Sequence, residues 1–273
     1  DTPVYFYAQL SKPMDKVVSW REGRIESNSN PERISGKNAG MAVRFKTEKD
    51  EKVMLKVAIS YVSVEQARKN MLTELSGWDF EQVKQSSFSE WNDWLGRIEV
   101  EGGSREQQIK LYTDLWHALL GRHVVSDADG HYMDMTSDFP RIRQIPLGED
   151  GKPLYNHHNF DAWWGSHWSL NILWSMAYPE VMDNFCNTMI DMYQNGGLIP
   201  RGPSGGNYTY VMIGDPAVSF FASAYNKGIR NYDAELAYEG LRKNAFVGGI
   251  RDHAGYEHSK TAYSGGMKYY EEW

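Results

Sequence analysis

Two short runs of this chain hold residue types suited to binding chemistry. The first, Pro200–Pro216, reads P-R-G-P-S-G-G-N-Y-T-Y-V-M-I-G-D-P and sets one arginine and one asparagine among turn-forming glycines and prolines. The second, Asn156–Trp168, reads N-H-H-N-F-D-A-W-W-G-S-H-W. Long loops between helical patterns are usually functional. Tryptophan faces stack on the C–H faces of a sugar ring, and fixed polar groups bind its hydroxyls. The two runs therefore predict a carbohydrate site.

Four residues of these runs are the first candidate substrate contacts. Trp164 and Trp163 are aromatic platforms, and together with Trp168 they cannot all face one direction on a helix. One or two of the three are expected to line a cleft, Trp164 first, and the rest to pack in the core. Arg201 is either a donor to sugar hydroxyls or to a catalytic carboxylate, or a solvated surface residue. The amide of Asn207 suits a pair of hydroxyls, although asparagine is also a common turn residue.

Histidines and carboxylates supply the remaining candidates. His157 and His158 are adjacent and point opposite ways in an extended segment, so at most one reaches a site, and His158 is our candidate. Asp161 is a possible sugar contact. The run S-D-A-D-G at Ser126–Gly130 imitates the start of a calcium loop. It lacks the later ligands of such a loop, which favours a simple turn.

The composition limits the possible partners. The chain has 273 residues, 41% of them hydrophobic and 14% aromatic, enough for one large domain or two ordinary ones. Its net charge of −7 is dispersed without a basic stripe, which argues against nucleic acid and anionic membranes. No apolar run has the length of a membrane span. The single cysteine, Cys186, lies in an apolar helical pattern that predicts a buried, inert thiol.

The elements that must position these residues change character along the chain. Residues 1–62 contain strand patterns at Val4–Ala8, Met41–Phe45 and Val53–Ile59, which predict a partial antiparallel β-sandwich domain. A capping box at Ser63–Gln66 then begins a helical linker over residues 63–103. Within that linker, the residues from Arg97 to Glu101 have the pattern of a short strand.

Residues 104–273 have a helical pattern interrupted by long loops. A second capping box, Ser104–Gln107, opens a helix, and further helices are predicted at 166–178, 179–195, 216–227 and 234–244. Asp215 is the expected N-cap of the third of these, followed by Pro216 at the first helical position. The fold class we predict is multidomain β + α, a partial antiparallel β-sandwich with a helical linker and the N-terminal half of an (α/α)6 toroid. The incomplete sandwich and toroid suggest a piece of a longer polypeptide.

Six motifs follow one another in a recognisable order. They are I-S-G-K-N-A-G (Ile34–Gly40), V-A-I-S-Y-V-S-V-E-Q-A-R (Val57–Arg68), G-R-I-E-V-E-G-G (Gly96–Gly103), L-Y-T-D-L-W-H-A-L-L (Leu111–Leu120), V-S-D-A-D-G-H-Y (Val125–Tyr132) and G-G-N-Y-T-Y-V-M-I-G (Gly205–Gly214). In this order they resemble the glycoside hydrolase family 92 α-mannosidases over nearly the whole chain.

This resemblance implies a function for the full-length protein. Members of the family look like a β-sandwich joined by helices to an (α/α)6 catalytic domain, and they are exo-acting, inverting α-mannosidases that need calcium. Inversion requires a general acid and a general base with room for a water between base and sugar. The acid, the base and the calcium ligands are expected C-terminal to Trp273. No catalytic or metal-ligating residue is therefore assigned to this chain, which alone is expected to be inactive.

One departure from the family pattern leaves alternatives open. The resemblance implies a Trp-Asp pair where this chain has Trp164 and Gly165, so a usual mannose contact is missing unless Asp161 replaces it. The alternatives are a catalytically inactive carbohydrate-binding or scaffold relative and another (α/α)6 glycosidase. The expected partners are an α-mannoside glycan and the remainder of the polypeptide. The expected location is that of an exported bacterial protein, whether periplasmic, outer-membrane-associated or secreted.

Overall fold

The computed structural model describes residues 3–26, 34–160, 163–210 and 214–253. Its N-terminal part contains short antiparallel strands: β1 (Tyr5–Leu10), β2 (Lys16–Arg21), β3 (Arg24–Glu26), β4 (Gly40–Arg44) and β5 (Leu55–Ser60). Strand β1 pairs with β5, and β2 is the central strand of a second sheet in the order β3-β2-β4. These sheets agree with the predicted antiparallel β region.

Strands β2 and β3 were not predicted from the sequence pattern. They form a tight hairpin in which Arg21 pairs with Arg24. The two residues between them, Glu22 and Gly23, have φ values of 50° and 78°. Positive φ at both central positions is typical of the type I′ turn, whose twist matches that of the flanking strands.

Three helices follow the sheets: α1 (Val64–Glu74), α2 (Phe80–Leu95) and α3 (Arg105–Leu120). The Ser63 hydroxyl caps α1 by accepting a hydrogen bond from the amide of Gln66, and Ser104 forms the predicted reciprocal capping box at α3. These caps satisfy backbone donors that the first helical turn leaves unpaired. The predicted strand from Arg97 to Glu101 is wrong, because this stretch pairs with no other strand and follows the end of α2 as a turn and coil. The domain limits at residues 62 and 103 stay predictions.

The remaining part is mainly helical. Two small antiparallel pairs come first, β6 (His123–Val124) with β9 (His158–Asn159) and β7 (His131–Asp134) with β8 (Arg141–Gln144). The helices are α4 (Trp163–Ser166), α5 (Leu170–Ala177), α6 (Pro179–Gly196), α7 (Ala217–Asn226) and α8 (Ala234–Ala245).

Two details of these helices differ from the sequence prediction. The helix predicted at 166–178 corresponds to the shorter α5, because residues 167–169 form a turn and Ser166 ends the separate helix α4. The N-cap predicted at Asp215 is wrong, because Pro216 occupies the N-cap of α7 and no side chain caps that helix.

Helix α6 organises the main hydrophobic core. Its apolar face packs against α5, α7 and α8, and Phe185 lies at the centre of a cluster of aromatic rings. The ring of Trp174 stacks on Phe185 with centroids 5.6 Å apart and planes at 7°. Cys186 is a free thiol on the same buried face, and burial raises its pKa well above the usual value, which keeps the thiol protonated. The prediction of a buried, inert thiol is confirmed.

Candidate functional site

The segment Pro200–Tyr210, which we call the glycine loop, contains a tight reverse turn. The amide of Asn207 donates to the carbonyl of Ser204 at 2.9 Å, and the two glycines between them have φ values of 58° and 71°. Left-handed backbone at both positions favours glycine. At Gly206 a Cβ would also overlap the carbonyl oxygen of Met133, so this position has no room for a side chain.

Arg201 fixes the base of the glycine loop. Its side chain is 2% exposed, and all three guanidinium nitrogens donate to backbone carbonyls: Nε to Gly214 at 2.8 Å, Nη1 to His253 at 2.5 Å and Nη2 to Ile250 at 2.7 Å. Burial lowers the pKa of Arg201, and the nearby carboxyl of Asp215 opposes that shift. Arg201 is therefore not the solvated surface residue that was one of its two expected roles.

Tyr208 ties the same loop to the end of α6. Its hydroxyl donates to the carbonyl of Met192 at 2.7 Å and accepts from the amide of Leu198 at 3.2 Å. The last turn of a helix leaves carbonyls without intrahelical partners, and this hydroxyl satisfies one of them. Burial raises the pKa of Tyr208, so the hydroxyl stays protonated. The loop is thus held on a rigid support.

The two runs singled out from the sequence meet at the glycine loop. The side-chain oxygen of Asn159 accepts from the amide of Gly205 at 2.6 Å, and the amide of Phe160 donates to the carbonyl of Pro203 at 2.8 Å. Asn159, at the end of β9, therefore directs its side-chain oxygen towards the glycine loop. Because Asn159 uses its oxygen here, its orientation is set and its amide nitrogen is left over.

A small cavity of about 110 Å³ lies at this meeting point. Its walls are formed by Tyr61, Val125, Met133, Asn159, Gly205 and Gly206. Ligand pockets usually measure about 300–1,000 Å³, so this cavity has room for part of a ligand only. Asn207 follows directly, with its oxygen accepting from the Tyr208 amide at 2.8 Å. Within the described residues, the amide nitrogens of Asn159 and Asn207 donate no hydrogen bond, which leaves both available for hydroxyl groups.

The two neighbouring tryptophans have opposite environments. Trp163 is 0% exposed, and its ring lies 4.1 Å from that of Phe220 and 4.7 Å from that of Phe185. Trp164 is 55% exposed. Successive positions on a short helix cannot share one face. The structure thus places Trp163 in the core, where it offers no surface to a ligand, and leaves Trp164 accessible.

The paired histidines are both buried. His157 stacks on Tyr132 with ring centroids 4.1 Å apart, and burial, together with the neighbouring His158, lowers its pKa to about 3. The ring of His158 lies 4.6 Å from that of Phe185, and burial lowers its pKa to about 4. Both imidazoles are therefore neutral at pH 7. The ring of His158, our candidate contact, is enclosed by the core in this conformation.

Asp161, a further candidate contact, lies outside the described residues.

Asp215, which precedes α7 and lies near Arg201, is a buried carboxylate that the sequence did not single out for chemistry. Burial raises its pKa to about 6, although Asn244 and the cations Arg251 and Arg201 act in the opposite direction. Within the described part of the chain, neither of its oxygens makes a direct hydrogen bond. In the sequence, Asp215 lies between Gly214 and Pro216, a pattern typical of the start of a helix. That local pattern did not predict the burial of the Asp215 carboxylate.

The carboxylates of the S-D-A-D-G run bond to the rest of the protein. Asp127 accepts from the Ser60 hydroxyl at 2.9 Å and from Asn70 at 2.7 Å, while Asp129 accepts from Lys69 at 3.1 Å and pairs with His131 at 2.8 Å. The run closes as a turn, with the Gly130 amide donating to the Asp127 carbonyl. No cluster of three or more metal-ligating side chains occurs among the residues that the structure describes. These residues do not fit a calcium ion.

A larger cavity lies elsewhere in the described part of the chain. It measures about 680 Å³ and lies between α7 and α8, where it is lined mainly by apolar side chains such as Phe221, Tyr225, Tyr238 and Leu241. Sugar hydroxyls require several converging polar groups. Apolar side chains dominate this groove, with Asn226 and Glu235 among its few polar lining residues, so the smaller cavity beside the glycine loop is the better candidate.

Comparison with known proteins identifies the class that these features define. Residues 66–272 match the glycosyl hydrolase family 92 catalytic domain, and residues 1–60 match the family 92 N-terminal domain. The chain therefore belongs to glycoside hydrolase family 92, and its β region and helical region correspond to two domains of that family.

Individual relatives cover most of this chain. It is 26% identical over 214 residues to an uncharacterized secreted glycosidase of Arthroderma benhamiae. The aligned region covers 77% of this chain and 22% of the fungal protein. A family 92 α-mannosidase of Bacteroides thetaiotaomicron shares 26% identity and a TM-score of 0.74, covering 88% of this chain and 32% of its own.

A second structure supports the fold. It is a family 92 inverting mannosidase of Bacteroides thetaiotaomicron, with 23% identity and a TM-score of 0.78, covering 98% of this chain and 34% of its own. This chain thus spans about a third or less of each relative. The predicted combination of β-sandwich and α/α domain is confirmed by these neighbours. No helix in the described ranges combines the length and apolarity needed to cross a membrane.

Proposed function

We propose that the full-length protein is an exo-acting, calcium-dependent, inverting α-mannosidase that hydrolyses the α-mannosides of glycans. The observation that carries this proposal is the family 92 match through both domains. The structural similarity to an α-mannosidase at 26% identity supports the choice of sugar. In this proposal the present chain contributes part of the β-sandwich, the helical linker and the first half of the catalytic α/α domain.

The residues of this chain would bind and orient the sugar. The exposed face of Trp164 is the proposed stacking platform, and the free amide nitrogens of Asn159 and Asn207 are the proposed donors to sugar hydroxyls. The glycine loop suits this task because its backbone is fixed by Arg201 and Tyr208, and a rigid site loses little entropy when a ligand binds. The general acid and base are proposed to lie C-terminal to Trp273.

Calcium dependence is proposed from the family resemblance alone. The calcium ligands are proposed, like the general acid and base, to lie C-terminal to Trp273. No role in binding or orientation that we assign to this chain depends on the ion. Export from the cell is proposed because the fungal relative is described as secreted. A bacterial source is proposed from the resemblance.

Hydrolysis of mannobioses by the full-length protein tests the proposal. We expect α-1,2-, α-1,3- or α-1,4-mannobiose to release mannose, with the β-anomer appearing first in NMR spectra and with activity lost in EDTA and restored by calcium. Release of the α-anomer first would contradict inversion. Activity that is indifferent to EDTA would contradict calcium dependence without affecting the proposed substrate.

A carbohydrate-binding relative without catalysis remains the second candidate. The observation behind it is Gly165, where a Cβ would meet no other atom within 4 Å, so the backbone has space for the aspartate that the resemblance implies. Binding of mannose without hydrolysis by the calcium-loaded protein would favour this candidate. Release of a different sugar would instead indicate another (α/α)6 glycosidase.

A further inference from the structure

Tyr61 lies in the short connection between the β region and the helices. Strand β5 ends at Ser60 and α1 begins at Val64. Tyr61 forms part of the wall of the 110 Å³ cavity beside the glycine loop. It also borders a second cavity of about 380 Å³ between β5, α1 and the segment Val124–Asp127. Since Val125 also borders both cavities, these two residues separate them.

The backbone on both sides of Tyr61 is anchored. The Ser60 hydroxyl donates to Asp127 at 2.9 Å and accepts from the amide of Val62 at 2.9 Å. Asn70 donates both to Asp127 at 2.7 Å and to the carbonyl of Ile59 at 3.0 Å. We call this set, Ile59, Ser60, Val62, Asn70 and Asp127, the junction network. It sets Tyr61 in a defined position against the glycine loop.

The Tyr61 hydroxyl makes no hydrogen bond to a described residue, and it is not one of the fully buried polar atoms. A tyrosine with a partly buried ring and an accessible hydroxyl can offer both an apolar face and a hydrogen bond to a ligand. Gly205 and Gly206 line the same cavity without side-chain bulk, and Asn159, which also lines it, has an amide nitrogen without a partner among the described residues. An aromatic ring, a hydroxyl and an amide around one cavity match the groups of a sugar.

We propose that Tyr61 is a substrate-contacting residue, whose hydroxyl bonds to a hydroxyl of the bound saccharide in the cavity beside the glycine loop. The nature of that saccharide, an α-mannoside, rests on the proposed function, whereas the contact itself applies to any sugar that occupies the cavity. Recognition by the catalytic domain then depends on a residue that follows the last strand of the β region.

The Tyr61→Phe variant of the full-length protein tests this contact, because it removes one oxygen and keeps the ring. A neutral hydrogen bond to ligand corresponds to roughly a three- to tenfold change in affinity. We expect KM for the hydrolysed mannobiose and the Kd for mannose to rise by that factor. If the bond is equally strong in the ground and transition states, kcat is unchanged. Tyr238→Phe, at a position 69% exposed on α8, is the matched control and should change neither constant.

Direct binding measurements separate this inference from the proposed function. Calorimetric titrations with mannose, glucose and galactose would be made on the wild type and both variants. If the wild type hydrolyses mannobiose and Tyr61→Phe matches it in KM and Kd, the contact is refuted and the function stands. If no mannoside is hydrolysed but a sugar binds and Tyr61→Phe weakens it, the contact stands and the function fails. Absence of binding to all three sugars would overturn the contact.

Discussion

The junction network and the glycine loop are both rich in polar groups, yet they use them differently. At the junction, side chains bond to one another, and the two oxygens of Asp127 accept from Ser60 and Asn70. In the glycine loop, Arg201 bonds to backbone carbonyls, while Asn207 keeps its amide nitrogen free of described partners. The first arrangement joins two parts of the chain, and the second holds a surface ready for a ligand.

The physical reason for this difference is the cost of an unpaired polar group. Leaving a buried donor or acceptor unsatisfied costs about 1–3 kcal/mol, so buried polar side chains are almost always bonded. A donor without a protein partner costs least where water or a ligand reaches it. A free donor beside a cavity therefore indicates binding, whereas a fully bonded carboxylate indicates structure. Substitutions at particular residues test that rule.

The largest effect is expected at the neighbouring tryptophans. Trp163→Ala should destabilise the protein by about 3–5 kcal/mol, because it empties the centre of the aromatic core. Trp164→Ala should change stability by less than about 1 kcal/mol, because half of this side chain is already in water, yet it should weaken mannose binding. Urea unfolding and sugar titration of both variants check this. Equal destabilisation by the two would contradict the division between core and platform.

The next largest effect is expected at the base of the glycine loop. Arg201→Met leaves three backbone carbonyls without their donor and should cost about 3 kcal/mol. For a folding unit of this size, that corresponds to a thermal midpoint lower by about 6–12 °C. The control Arg141→Met, at an exposed position of β8, should leave the midpoint unchanged. An unchanged midpoint with lost sugar binding in Arg201→Met would instead make Arg201 a ligand donor.

A smaller effect is expected at the junction network. Asn70→Ala removes donors to Asp127 and Ile59 and an acceptor for the amide of Ala128, and we expect a loss of about 2 kcal/mol in urea unfolding. Gln108→Ala removes a single exposed hydrogen bond and should cost less than about 0.5 kcal/mol. If sugar binding also weakens in Asn70→Ala, the network positions Tyr61. If Asn70→Ala loses no more stability than Gln108→Ala, the junction network does not contribute to the free energy of unfolding.

The smallest effect at neutral pH is expected at His157. The pKa of His157 is about 3 in the folded protein and 6.5 in the unfolded chain. Below pH 6.5 the unfolded chain therefore binds a proton at this imidazole and the folded protein does not. The free energy of unfolding consequently decreases as the pH is lowered. Asp191 and Asp215, whose pKa values burial raises to about 6, act oppositely between pH 4 and 6.

His157→Phe should therefore match the wild type at pH 7.5 and become relatively more stable as the pH falls to 4.5. The limiting slope is about 1.4 kcal/mol per pH unit for one proton. Urea midpoints measured across this range for His157→Phe and for His117→Gln, an exposed histidine of α3, check the sign. A parallel pH dependence in the wild type and His157→Phe would show that this imidazole is not the group that titrates.

Local features of the chain could be predicted because their causes are local. The capping boxes at Ser63 and Ser104 need only residues within one helical turn. The paired glycines at Gly205 and Gly206 similarly specify a left-handed turn without reference to the rest of the protein. The ordered motifs also indicated the family and hence the combination of β and α domains. The roles proposed for the site residues stay predictions, since the structure gives their positions and not their ligands.

Tertiary structure alone decided which of the chemically suitable residues face a cavity. Arg201 bonds to carbonyls as far as 52 positions along the chain, so its burial cannot be read from the loop that contains it. His158 is enclosed because β9 packs against α6, and Tyr61 reaches the glycine loop because the junction network holds the end of β5. The sequence by itself determined the local turns, caps and family. Burial depends on which distant surfaces meet, and that is a property of the folded chain.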